Sequence, residues 1–194
     1  MNEQVSMGSV VVLFHSAYGH TQRMAQAVEQ GAREIAETQL ITIDANGEIT
    51  PEDWQTLGAA AAIIMGTPTY MNMVSWQFKK WADASSKAWM AQAWKDKIFA
   101  GFTTSASMTG GKEATLNYLV ALAMQHGGIW AGLGLLPSNG SGAQRNDVNY
   151  LGSSLGAMAT TPSDASAAQM LAGDLESARL FGTRVAQVAQ RWSR

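Results

Sequence analysis

Ser16, Gly19 and Thr21 fall within the run Ser16-Ala17-Tyr18-Gly19-His20-Thr21, where an apolar strand should give way to a helix. Two hydroxyls and a glycine at such a junction suit a phosphate. The first amides of a helix have no partner within it, and the helix dipole is positive at that end. The run has no Lys before Thr21, so it is not the G-x-x-x-x-G-K-[ST] loop that grips triphosphates, and it lacks the three glycines of G-x-G-x-x-G. What remains is an uncharged cradle suited to a single phosphate monoester. The alternative is a plain strand-to-helix turn in which Ser or Thr only caps the helix.

Two more segments carry unusual chemistry: the breaker cluster Gly66-Thr67-Pro68-Thr69-Tyr70, and positions 103–111, rich in hydroxyls and glycine. Metal and thiol chemistry are not expected. There are three His, no Cys and no paired carboxylates that would make a ligand set. Trp89 lies eight residues after Trp81, which fits a buried helical face as well as a pocket wall. His126 precedes a Gly pair near a helix end, where a cationic ring can simply serve the dipole. His15 reads as part of the first strand, and His20 as a residue used through its backbone N–H.

The elements that must position these residues alternate along the chain. Apolar runs at 9–14, 40–43, 59–65, 98–102 and 129–133 read as strands. Met24, Val28, Ala32 and Ile35 recur at helical spacing after the first. Further helices are expected from the breaker cluster to about Met90, over 112–125, and over 164–192. Five strands separated by helices indicate an α/β fold, a doubly wound five-stranded parallel sheet with helices on both faces. Right-handed crossovers then bring the loops near Ser16, Thr69 and Ser105 to one sheet edge, where such folds bind ligands. Positions 137–163, rich in Gly, Ser, Asn and Thr, are too long for an ordinary connector; with Tyr150, Leu151 and Met158 inside them they read as an ordered, partly buried excursion.

Composition narrows the function. A chain of 194 residues suits one domain, 1–194. A net charge of −2 with no basic cluster argues against a nucleic-acid surface. Charged residues make up only 14%, with seven Trp and eleven Met, which suggests apolar surface covered by another subunit or a cofactor. The start carries Glu3 and no long apolar stretch, so neither a signal peptide nor a membrane span is expected, and the cytoplasm is the default location.

Ser-Ala-Tyr-Gly-His-Thr after a Val-rich strand, Gly-Thr-Pro-Thr-Tyr-Met-Asn-Met at 66–73, the His-Gly pair at 126–127 and Leu-Gly-Ser-Ser-Leu-Gly-Ala at 151–157 occur in an order that resembles the tryptophan-repressor-binding protein family, the flavodoxin-like type IV NAD(P)H:quinone oxidoreductases. The resemblance implies an FMN site built from three loops. Ser16, Ala17, Tyr18, Gly19, His20 and Thr21 would hold the phosphate. Thr69, Tyr70 and Met71 would lie along the ring and ribityl chain, and Thr104, Ser105, Ala106, Ser107 and Gly110 would serve the polar edge of the flavin. His126 falls where the family has a histidine near the flavin, and Tyr18 and Trp89 match aromatics lining the nicotinamide and quinone pocket. Neighbouring subunits of a homotetramer complete that pocket in the family; a homodimer is the smaller alternative.

The implied reaction is hydride transfer from NADH or NADPH to FMN and then to a quinone or another flat aromatic acceptor, in ping-pong order. The competing class is a flavodoxin-type electron carrier, for which −2 is a weak steering charge. A third is a regulatory protein that has kept the fold without the chemistry. The chain departs from the family pattern twice. Tyr70-Met71 runs straight into Asn72, one residue shorter than the family's Arg-Phe pair and Gly. The 103–111 loop is one residue longer, with Met108 in place of a Gly-rich run.

Overall fold

Five consecutive apolar residues that are all buried belong inside a sheet covered on both faces, and Val10–Phe14 forms such a strand, β1. The computed structural model describes residues 8–193, so the segment around Glu3 lies outside the described residues. In chain order the other strands are β2 (Thr38–Thr42), β3 (Ala62–Tyr70), β4 (Met73–Val74), β5 (Ile98–Ser105), β6 (Ile129–Trp130) and β7 (Ala157–Thr160). The helices are α1 (His20–Arg33), α2 (Pro51–Ala59), α3 (Trp76–Ala84), α4 (Ser86–Met90), α5 (Lys112–Gln125) and α6 (Ala172–Trp192), with a 3₁₀ turn at Ala167–Gln169.

The parallel sheet runs β2-β1-β3-β5-β6, the flavodoxin-like doubly wound order. α1 and α6 cover one face through Val10, Val12, Ile64 and Phe102. α2, α3 and α5 cover the other through Val11, Leu13, Ile63 and Phe99. Side-chain alternation along each strand assigns successive residues to opposite faces, so a continuous apolar run feeds two separate cores. α1 and α6 pack with their backbones almost touching, and a Cβ on Gly182 would stand 1.9 Å from the Val28 carbonyl oxygen.

Several features differ from the sequence reading. β3 and β5 do not stop where their apolar runs end. They continue through the β-branched Thr67, Thr69, Thr103 and Thr104, and Thr103 ties the two strands together through the Thr69 hydroxyl and the Thr67 carbonyl. The fifth strand position is shared by two pieces: β6 pairs with Ile98 and Phe99, and β7 with Phe102–Ser105, the excursion leaving after the first piece and returning as the second. It is fixed in place by Trp130, whose indole N–H donates to the Leu155 carbonyl at 2.8 Å, and by Asn149, whose side chain bonds Leu135 and Ser153. Finally, the last helix begins at Ala172 rather than near 164.

α2 was not expected, though its start is written in Thr50-Pro51-Glu52-Asp53. Thr50 Oγ1 accepts from the Asp53 amide at 3.1 Å, Asp53 accepts from the Thr50 amide at 3.0 Å, and Pro51 takes the first helical position. The helix buries only Leu57, so it has little apolar periodicity to read.

Candidate functional site

The loops after β1, β3 and β5 meet at the point where strand order reverses and enclose a cleft of about 330 Å³. One end is the start of α1. Gly19, at φ +87°, caps the helix with no side chain to occupy its first amides, and the first turn carries no acidic residue. Ser16 Oγ accepts from the Gly19 amide at 3.1 Å and so shapes the turn. A 14-residue helix therefore presents unoccupied donors and its positive pole to the cleft.

Ser16, Ala17, Tyr18, His20 and Thr21 of the loop after β1 line this cleft with Thr69, Tyr70, Thr104, Ser105 and Ala106. Thr21 and Thr104 are buried, and their hydroxyls bond at 2.9 Å, tying the first loop to the third. His20 uses its side chain as well: Nε2 lies 2.8 Å from the Ala165 carbonyl and anchors the segment after the excursion to the loop after β1. The hydroxyl of Thr69 is tied into the scaffold. Thr103 Oγ1 gives its proton to the Thr67 carbonyl at 2.7 Å and so accepts from Thr69 at 2.8 Å, which leaves Thr69 to accept from Thr115 at 2.8 Å. It therefore has no proton left to donate to a ligand.

Tyr18 and Tyr70 form the open side, edge to face with ring centroids 6.4 Å apart. Tyr18 is 77% exposed. Burial, and then Tyr18 beside it, raise the Tyr70 phenol above its ordinary value, so it stays protonated near neutrality. Beyond Tyr70, the shortened loop is a two-residue hairpin turn with Met71 at φ 48° and Asn72 at φ 64°. Both turn residues are left-handed, as a tight hairpin requires, although Met71 carries a side chain and glycine would be easier there. Met71 is 99% exposed at the cleft's rim and does not line it.

Sequence reasoning missed Thr161, Ser163 and Pro68, which also line the cleft. Thr161 is informative because its hydroxyl is buried and has no partner within the protein. A buried orphan hydroxyl on a cleft wall is a donor waiting for a ligand. Its signal was weak, because it lies near the end of a long polar excursion with no motif around it.

Besides Gly19 and Met71, four expected residues sit apart from the cleft lining. The Ser107 carbonyl is turned away to Ser105 Oγ and Lys112 Nζ. Gly110, at φ +47°, allows the close turn, since a Cβ there would meet Ser105 Oγ at 2.2 Å. His126 and Trp89 are the larger departures. α5 starts at the cleft and runs the length of the sheet, so His126 at its far end reaches the opposite edge. There it is buried, its ring 4.5 Å from Trp94 and 6.4 Å from Phe99. Ser85 Oγ donates to the Ala82 carbonyl at 2.6 Å, so His126 Nε2–H must donate to Ser85 at 2.9 Å, and Nδ1 is left buried and bare. Trp89 lies in α4 beside this cluster, 39% exposed. His15, expected within β1, lies just past it, buried and bonded through Nδ1 to Ser75 Oγ at 2.8 Å.

Burial lowers the pKa of both His126 and His15 below the ordinary histidine value. The unfolded chain therefore binds more protons than the folded one as pH falls from about 6.5 towards the folded-state values, and stability is lost in that window. Urea midpoints should fall with pH below about 6.5, and His126→Gln should flatten the decline. An unchanged slope in the variant would mean that His126 does not drive it.

Among the described residues no group of His, Asp and Glu could hold a metal, and no helix is long and apolar enough to cross a membrane. The family described as NADPH-dependent FMN reductase matches residues 9–135. A flavodoxin, FldP, of Pseudomonas aeruginosa is 48% identical, over 95% of this chain and 98% of its own. An NAD(P)H dehydrogenase (quinone) of Gluconacetobacter diazotrophicus is 33% identical, over 96% of this chain and 100% of its own. The crystal structure of a flavodoxin, WrbA-like protein from Agrobacterium tumefaciens superposes with a TM-score of 0.78 at 48% identity, covering 95% of this chain and 98% of that one.

Proposed function

The chain belongs to the NADPH-dependent FMN reductase family and is an FMN oxidoreductase, and from that premise we propose that it reduces quinones by two electrons at the expense of NADH or NADPH. The observation that carries this reading is the two-ended cleft: an uncharged helix start that can receive a phosphate, and an exposed pair of tyrosines that leaves a flat ligand accessible. FMN, when bound, would supply two-electron chemistry between a nicotinamide hydride donor and a quinone, which takes up two protons to leave as the quinol. The α1 amides with Ser16 and Thr21 would hold the phosphate, and Thr161 would give its free hydroxyl to the cofactor. Tyr18 and Tyr70 form a wall on which nicotinamide and acceptor stack in turn, which favours broad acceptance of flat aromatics.

His126 and Trp89 stand at the opposite sheet edge, so Trp89 can line an acceptor site only across a subunit boundary, in a homotetramer or homodimer. His126, shut in by Trp94 and Ser85, serves packing. The cytoplasm, where reduced nicotinamides are kept available, fits the same reading.

The FldP relative's name favours a second reading, a carrier of single electrons between proteins. An anaerobic absorbance experiment separates the two. Stoichiometric NADH should bleach the FMN-loaded protein, and benzoquinone should restore the oxidised spectrum. A flavin that binds but ignores both NADH and NADPH would overturn the enzyme reading in favour of the carrier.

A further inference from the structure

A buried lysine stands behind the third cofactor loop and has no part in the scheme above. Lys112, the first residue of α5, is 1% exposed. Its Nζ is surrounded by four oxygens: Ser105 Oγ at 2.9 Å, the Ser107 carbonyl at 2.7 Å, the Met108 carbonyl at 2.8 Å and Thr160 Oγ1 at 2.9 Å. Both general rules for lysine are broken here. An ammonium is costly to bury, and the start of a helix is the wrong pole for a cation. Such violations concentrate where function requires them.

The surroundings show what the charge does. Three of the four oxygens belong to 105–108, so the ammonium holds that loop in one shape, and Ser105 itself lines the cleft. The fourth belongs to β7, whose Thr160 amide donates to Asp174 Oδ2 at 2.9 Å. Asp174, in the first turn of α6, is gripped by Arg145 of the excursion through two bonds of 2.8 and 2.7 Å. The charged groups facing Lys112 are thus Asp174 and Arg145, which offset each other and leave a net positive charge one hydrogen bond behind the cleft wall.

We propose that Lys112 is a positioning residue for the flavin: it fixes the 105–108 loop in its cofactor-receiving shape and places a positive charge behind Ser105 that favours reduced over oxidised FMN. This rests on the reading of the cleft as the FMN site. Reduced flavin carries more negative charge than the oxidised form near neutral pH, so a fixed cation binds it more strongly.

Burial pushes the Lys112 ammonium down to about 8, with Asp174 opposing and Arg145 adding to the fall. An anion in the cleft favours the protonated form, so FMN affinity should decline as pH rises through about 8. Folding stability should move the other way. The unfolded chain binds more protons than the folded one between about 8 and the ordinary lysine value, and stability therefore rises with pH across that window. A lysine that only supported the fold would give the second effect without the first.

The test compares wild type with Lys112→Gln and Lys112→Met. FMN dissociation constants are measured by fluorescence quenching from pH 7 to 9, and the reduced-to-oxidised affinity ratio by spectroelectrochemical titration against free FMN. Wild-type affinity should fall about tenfold across that range, and both variants should lose the dependence. The affinity ratio should drop about tenfold in the variants, which is about 30 mV for a two-electron couple. Variants that keep the wild-type ratio and pH profile would overturn the proposal. Should neither variant fold, a wild-type affinity that is flat from pH 7 to 9 overturns it alone. A wild type that binds no FMN at pH 7 refutes the cleft assignment instead, a separate result.

Discussion

Ser16→Asp should weaken FMN binding by about 100-fold or more while making the cofactor-free protein more stable. The new carboxylate can still accept from the Gly19 amide, as the Ser16 hydroxyl does at 3.1 Å, so the turn is kept. It also supplies the anion that the first turn of α1 lacks, for a gain of about 0.5–1 kcal/mol. A phosphate entering the same place then meets a like charge. At about 4 Å and an effective dielectric near 20 the repulsion is ~4 kcal/mol, part of it screened at this half-open site. Fluorescence titration with FMN and a thermal melt of the cofactor-free protein measure the two effects. Unaltered FMN affinity would show that the phosphate lies elsewhere, whatever happened to the melt.

Gly182→Ala should cost about 3 kcal/mol and lower the melting temperature by about 6–12 °C for a chain of this size. The added methyl would stand 1.9 Å from the Val28 carbonyl oxygen and 2.8 Å from its carbon, with backbone rather than a flexible side chain in the way. α1 and α6 would have to part, and the gain in helix propensity, about 1 kcal/mol, is too small to offset it. Gly31 answers from the facing helix, where a Cβ would come within 1.8 Å of the Arg179 carbonyl oxygen. A melting temperature within 2 °C of wild type would mean that the helices separate at little cost.

The sheet and the strand-to-helix turn after β1 were legible because one physical signal dominates each. Val10 to Phe14 is continuous and apolar, and a strand in the middle of a doubly covered sheet can hardly be anything else. The turn at Gly19 has the residue types that an anion-receiving helix start needs. Thr161 was not legible, since its importance lies in a hydroxyl that no other group satisfies, and hydrogen-bond partners cannot be read along a chain. Lys112 was hidden for the opposite reason. Among Gly, Thr and Glu a lysine reads as a solvated surface residue, and only the fold shows it sealed among four oxygens. His126 shows the limit of reading a family pattern: its position matches, but fourteen helical residues carry it away from the cleft of its own chain.

The divided fifth strand has a consequence for biosynthesis. The loop after β1 is complete once Thr21 has been made, and β1, β3 and β5 once Ser105 has. The last wall, Thr161 and Ser163, follows β7, and β7 takes its place on β5 only after the whole excursion has been translated. A growing chain emerges at about 5–20 residues per second, so for several seconds it presents the anion-receiving end without the walls that would retain a ligand. Retention of a ligand in the cleft is therefore a late event that follows the docking of β7 on β5.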